Sequence, residues 1–382
     1  VTAGPQQLVL LGGGHAHLHV LQDLARTPLA SVRVVLVSPH GTLSYSGMVP
    51  GVVAGLYPPA ACTIPLARLA ASAGVTHRLR LAVGLDAAAR RLWLDDGSNL
   101  HYDLLSVDTG GRQDPQALPG AAEHALFVRP LGAFVEQLAT RLDRVGGEAP
   151  RWVVIGGGAA GFELAMALRH RPPPRPGRPC FVTLVAGGAP LLVGYPPGVV
   201  RRAERALSGA GVEVLRLRAL AVGADAVEFP GGLLRGCDGC AIATGVTGPS
   251  WLAGSGLALD DQGFVRTGPT LQSVSHPDVL AAGDVATRVD VASPRSGVHA
   301  VRSGPALARN LRLLLAGGQP MPYLPPGRTL NLLSCGDRRA IVSYGGGAAE
   351  GRWAWCWKDR IDRAFVALHG GPASPQPFTR VA

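Results

Sequence analysis

Two glycine turns carry the residues of this 382-residue chain best suited to chemistry. Gly12-Gly-Gly14 follows the apolar run at 8–11, and Gly156-Gly-Gly158-Ala-Ala-Gly161 follows the run at 152–155. A strand that passes through such a turn into a helix aims unpaired N–H groups and the positive end of a helix dipole at one point, where a pyrophosphate is held. Farther along, residues 279–284 (Val-Leu-Ala-Ala-Gly-Asp) end an apolar run on a carboxylate. One such turn is weak; two of them followed by a late Gly283-Asp284 imply two bound dinucleotides, one of them a flavin.

The elements that must position these residues read out of the hydrophobic pattern. Residues 7–26 read strand, tight turn, helix, and residues 32–37 a second strand. The third fingerprint position of the first turn is His17, not glycine or alanine, so helix–strand packing must differ there. The second strand ends at Ser38, where an acid would normally hold the ribose hydroxyls. Residues 103–111 and 238–245 each read as a buried strand ending in Thr-Gly, at Thr109-Gly110 and Thr244-Gly245. Asp284 at a strand terminus suits a ribityl hydroxyl, and its other reading is a turn cap. A helix running from residues 294–302 through 315 would aim its N-terminus, with Gly297 and Val298, at the pyrimidine side of a flavin. His299 beside it is a candidate proton relay or a structural histidine.

This order of motifs resembles the pyridine nucleotide-disulfide oxidoreductase superfamily, in the branch of type II NADH dehydrogenases and sulfide:quinone reductases. Residues 12–17 (Gly-Gly-Gly-His-Ala-His), 45–51 (Tyr-Ser-Gly-Met-Val-Pro-Gly) and 353–365 look closest to the flavoprotein module associated with selenide, water dikinase, although no kinase region follows. The resemblance implies an α/β fold with two Rossmann-like units. An FAD domain (1–112 and 266–322) is interrupted by an NAD(P) domain (113–265) and followed by a small C-terminal α+β segment (323–382). It implies FAD contacts from Gly12, Gly14, His15, Ser38, Thr109, Gly110, Gly283, Asp284, Gly297 and Val298. Ser46 and Met48 would lie near the pyrophosphate or the isoalloxazine. It also implies hydride transfer from NADH or NADPH to flavin N5, and onward to a quinone-like acceptor.

The second turn matches all three positions, Gly156, Gly158 and Gly161, with Gly245 closing the unit. The strand at 181–185 ends in Ala-Gly-Gly, with neither an acid for a 2′-hydroxyl nor an arginine for a 2′-phosphate, so the choice of NADH or NADPH stays open. The arginines of the 169–178 run are either a reach toward a 2′-phosphate or a solvated loop. Six cysteines are scattered, and none stands in the 43–53 stretch where a disulfide reductase of this superfamily carries its redox pair. Cys237-Asp-Gly-Cys240 has CxxC spacing, but Cys240 falls on a strand and reads as core. The expectation is electron transfer without a cysteine relay.

The net charge is +10, with Lys358 the only lysine. This reads as lysine-poor composition or as attraction to anionic nucleotides or membrane. No basic helix or aromatic strand pair suggests nucleic-acid binding, and no apolar run spans a bilayer. The scattered cysteines suit a reducing, cytoplasmic setting. From Trp353 the apolar residues at 353, 357, 361, 364, 365 and 368 share one helical face. That face either meets the inner side of a membrane around 353–368 or packs on the core or a second subunit of a homodimer. Two other readings stand beside the dehydrogenase: a reductase in selenium metabolism, and an FAD-containing sensor or scaffold whose nicotinamide site has lapsed.

Overall fold

The computed structural model describes residues 5–144, 149–172 and 179–370. Residues 173–178, most of the arginine-proline run, lie outside them. In chain order the elements that frame the site are β1 (Gln6–Leu11), α1 (His15–Arg26), β2 (Val32–Val37), β3 (Thr76–Arg78) and β4 (Leu104–Val107). Next come β5 (Ala125–Phe127), β6 (Arg151–Ile155), α2 (Ala159–His170), β7 (Phe181–Val185), β8 (Glu213–Leu215) and β9 (Gly239–Ile242). Last are β10 (Val279–Ala281), α3 (Gly297–Leu315), β11 (Asn331–Ser334), β12 (Ala340–Tyr344), β13 (Gly347–Gly351) and α4 (Arg352–Gly370).

Two parallel sheets result, ordered β10-β4-β1-β2-β3 and β5-β9-β6-β7-β8. They are Rossmann-like, and the fold is the mixed α/β arrangement expected. The chain leaves the first sheet after β4, completes the second, and returns to the first as β10. The central strands read as unbroken apolar runs because both faces are covered: residues 8–11, 104–107, 152–155 and 239–242 are all buried. Helix α1 buries Ala16, Leu18, Val20, Leu21 and Leu24 on one side. It lies so close to α3 that a Cβ at Gly304 would stand 2.6 Å from the His19 ring.

The C-terminal strands β11, β12 and β13 form an antiparallel sheet. The third strand, Gly347–Gly351, is rich in glycine and alanine and carries no strand signal of its own. Ala354 of α4 packs on Ala340 and Val342 of this sheet, and farther along the helix the Phe365 ring lies 6.0 Å from that of His15 at the first glycine turn.

Candidate functional site

At the first turn, Gly12 adopts φ +95°, and a Cβ there would stand 2.4 Å from the Asp108 carbonyl oxygen. His17 occupies the third fingerprint position by lying fully buried between α1 and the sheet. Its Nδ1–H donates to the Gly12 carbonyl at 2.6 Å, so its Nε2 accepts from the Ser106 hydroxyl at 2.8 Å. Burial holds the ring neutral, lowering its pKa to about 4. Asp108 is the acid of Asp-Thr-Gly at the end of β4. Its Oδ2 accepts from the His17 N–H at 2.9 Å and caps the start of α1. Burial pushes this carboxyl up to about 7. The sequence held a signal for it: the matching position of the second unit is Ala243.

The second turn is tighter. A Cβ at Gly161 would stand 1.8 Å from the Gly156 carbonyl oxygen, whereas one at Gly158 would meet nothing within 4 Å. Gly156, Gly158 and Gly245 line a cavity of about 2420 Å³, more than twice the ~1,000 Å³ of the larger ordinary ligand pockets. Its wall continues through Tyr45, Ser46 and Gly47, then Asp284, Gly297 and Val298, and on to Val301, Pro305, Ile361 and Leu368. The structure thus brings Ser46, Gly156, Gly158, Gly245, Asp284, Gly297 and Val298 onto one surface. Met48 is buried beneath it, and Gly161 is sealed inside the helix–strand contact. Gly12, Gly14, His15, Ser38, Thr109, Gly110 and Gly283 do not line this cavity; they cluster about the first turn. His299 faces a separate small cavity with Gly283 and Asp284, its Nδ1 3.4 Å from Ser293 Oγ.

Asp284 is the hinge of the site. Its Oδ2 accepts from Arg129 Nη2 at 2.8 Å, while its buried Oδ1 has no hydrogen-bond partner among the described residues. Arg129 follows β5, so the pair ties the second sheet to the first; nothing in the sequence pattern points to it. The orphaned carboxylate oxygen, the N-terminus of α3 opening on the cavity and the empty space above Gly158 together fit FAD and a nicotinamide dinucleotide.

Helix α4 packs with its polar side inward. Lys358 and Asp362 are buried, with Lys358 Nζ 2.6 Å from Asp362 Oδ2 and donating to the Gly47 carbonyl at 2.7 Å. The Tyr45 hydroxyl donates to Asp362 Oδ1 at 3.2 Å, and the Tyr45 ring stacks on Phe365 at 4.6 Å. Glu163 of α2 accepts from the Ser334 N–H at 2.7 Å, and burial pushes its carboxyl up to about 7 against the pull of Lys358. Trp353, Trp357 and Ile361 are left 55%, 40% and 40% exposed. The apolar stripe seen in the sequence is real, but over its first half it faces outward. The available sign was the i,i+4 spacing of Lys358 and Asp362, which pairs the only lysine with an acid.

The family model for pyridine nucleotide-disulphide oxidoreductases matches residues 6–304. The chain belongs to that family. It is an FAD-dependent NAD(P)H oxidoreductase. The demethylphylloquinone reductase of Synechocystis sp. is 25% identical over 367 residues, covering 90% of this chain and 88% of that protein. The ferredoxin–NAD(+) reductase component of the Burkholderia cepacia anthranilate 1,2-dioxygenase system is 26% identical over 294 residues, covering 74% and 62%. Among solved structures, the Aquifex aeolicus sulfide:quinone oxidoreductase superposes with TM-score 0.76 at 18% identity, over 95% of this chain and 91% of that one. The Plasmodium falciparum NDH2 in complex with NADH superposes with TM-score 0.78 at 11% identity, over 97% and 100%.

Proposed function

We propose that this flavoprotein takes electrons from NAD(P)H at the second glycine turn and delivers them to a quinone-like acceptor in the groove between α3 and α4. The carrying observation is that one cavity is lined by Gly156 and Gly158, by Asp284 and Val298, and by the apolar Val301, Pro305, Ile361 and Leu368. When bound, FAD supplies hydride acceptance and onward electron transfer; the protein binds and orients. In this reading residues 1–112 and 266–322 hold FAD, 113–265 hold the nicotinamide dinucleotide, and 323–382 shape the acceptor side. Asp284 Oδ1 and the first N–H groups of α3 are the polar contacts at the flavin end. Tyr45, Lys358 and Asp362 form a fixed network on the cavity wall, and the Glu163 carboxyl, near 7, holds or releases a proton beside it at neutral pH.

No cysteine relay is part of this reading. Five cysteines are buried and the exposed Cys356 does not line the cavity; burial raises the Cys237 thiol to about 11 and raises Cys240 as well. No helix among the described residues is long and apolar enough to cross a membrane. Trp353, Trp357 and Ile361 offer an apolar strip at the mouth of the groove, suited to the face of a bilayer from which a lipophilic acceptor would enter. Anaerobic titration of the FAD-loaded protein with NADH and NADPH, followed by addition of a naphthoquinone, tests the proposal. Bleaching by either nucleotide and rapid re-oxidation by the quinone is the expected result. Bleaching without re-oxidation rules out the acceptor, and no bleaching rules out the donor.

A further inference from the structure

We propose that Arg218 selects NADPH over NADH; this rests on the reading that the second glycine turn takes a nicotinamide dinucleotide. In a dinucleotide held by such a turn, the adenosine 2′ position is read at the end of the second strand of the unit, here β7. The residues after β7 are Ala186, Gly187 and Gly188, with no carboxylate. The Ala186 N–H donates to the Leu215 carbonyl at 2.9 Å, so the β7 exit is tied to the end of β8. Three residues past Leu215, Arg218, Ala219 and Leu220 line the same cavity as Gly187. Gly187 is left-handed at φ +68°, and a Cβ at Gly187 or Gly188 would meet nothing within 4 Å, which leaves room for an added phosphate.

The neighbouring charges single out Arg218. Glu213 pairs with Arg235 and accepts from Thr183, and Glu204 pairs with Arg216. Asp114 shares the cavity wall, and its Oδ1 accepts from the Gln116 N–H at 2.9 Å. Arg218 is exposed and has no ion pair among the described residues. Of the arginines suggested by the sequence for this task, Arg169 and Arg171 donate instead to the carbonyls of Ala210 and Val53. A planar guanidinium with no ion pair among the described residues favours a phosphate and gives a bare 2′-hydroxyl no acceptor.

Binding of 2′,5′-ADP and of 5′-ADP to the FAD-loaded protein, measured by calorimetry, separates this proposal from the donor reading. The wild type is expected to bind 2′,5′-ADP roughly tenfold to a hundredfold more tightly. Arg218→Gln is expected to abolish that difference while leaving 5′-ADP affinity and the melting temperature unchanged. Equal binding by the wild type, or equal loss of both ligands in the variant, overturns the assignment. If 5′-ADP is preferred and NADH still bleaches the flavin, the Arg218 proposal falls and the donor reading stands. If neither nucleotide binds, both fall.

Discussion

The two glycine turns share a backbone plan and differ in what fills it. In the second, α2 is seated against the strand end so closely that only hydrogen fits at Gly161, and the middle glycine, Gly158, opens on empty space. In the first, the third position carries an imidazole, and a Cβ at the middle glycine, Gly14, would stand 2.3 Å from the Asp108 carboxylate. One turn closes by backbone contact; the other by a buried polar cluster of His17, Ser106 and Asp108. The difference shows that a fingerprint specifies a helix start and a dipole, while the packing beneath it has more than one solution.

The comparison is broken most severely at the tight turn. Gly161→Val drives side-chain carbon into the Gly156 carbonyl, with an expected cost of about 4 kcal/mol or more, read as loss of soluble protein or a large drop in denaturation midpoint. His17→Ala comes next. It leaves a void and strips the Gly12 carbonyl and the Ser106 hydroxyl of their partner, at about 3 kcal/mol by the same measurement. If His17→Ala is neutral, the polar cluster is not what seats α1.

Asp108 sharpens the contrast through pH. Its pKa is raised from the usual carboxylate value to about 7 in the folded chain, so the folded state holds a proton that the unfolded state has lost. Its contribution to stability is fully present below the unfolded pKa and is lost as pH rises through about 7. Melting temperatures taken from about pH 5 to about pH 8 should fall in the wild type and fall less in Asp108→Asn; parallel curves would show that the carboxyl does not titrate there. The smallest effect on stability is expected from Gly158→Ala, within about 0.5 kcal/mol of wild type. The same variant should weaken nucleotide binding at the second turn several-fold, because the new methyl occupies space above the turn.

Much of this was legible in the chain. The apolar runs at 8–11, 32–37, 152–155 and 181–185 place strands β1, β2, β6 and β7 to within two residues, because strands buried on both faces need continuous apolar sequence. The helix expected from residues 294–302 through 315 is α3, and the structure sets its start at Gly297 with Ser296 as the cap. Arg129 was not legible, and Asp108 showed only through its contrast with Ala243. Each acts on a residue brought near by the fold: Arg129 lies 155 positions from its partner Asp284, and Asp108 lies 91 positions from the N–H it caps.

Helix α4 marks the boundary between the two kinds of information. Sequence alone determined that residues 353–368 form a helix with an apolar stripe and a charged remainder, since both follow from the 3.6-residue period. It also determined the family, through glycines whose geometry few other residues can adopt. Only the tertiary structure decided which side of α4 faces in. The Gly47 carbonyl and the Tyr45 hydroxyl stand where Lys358 and Asp362 arrive, so a buried ion pair finds its hydrogen bonds and Trp353 and Trp357 are left exposed. Whether a charge can be buried depends on the partners waiting for it, and those partners sit more than 300 residues away in the chain.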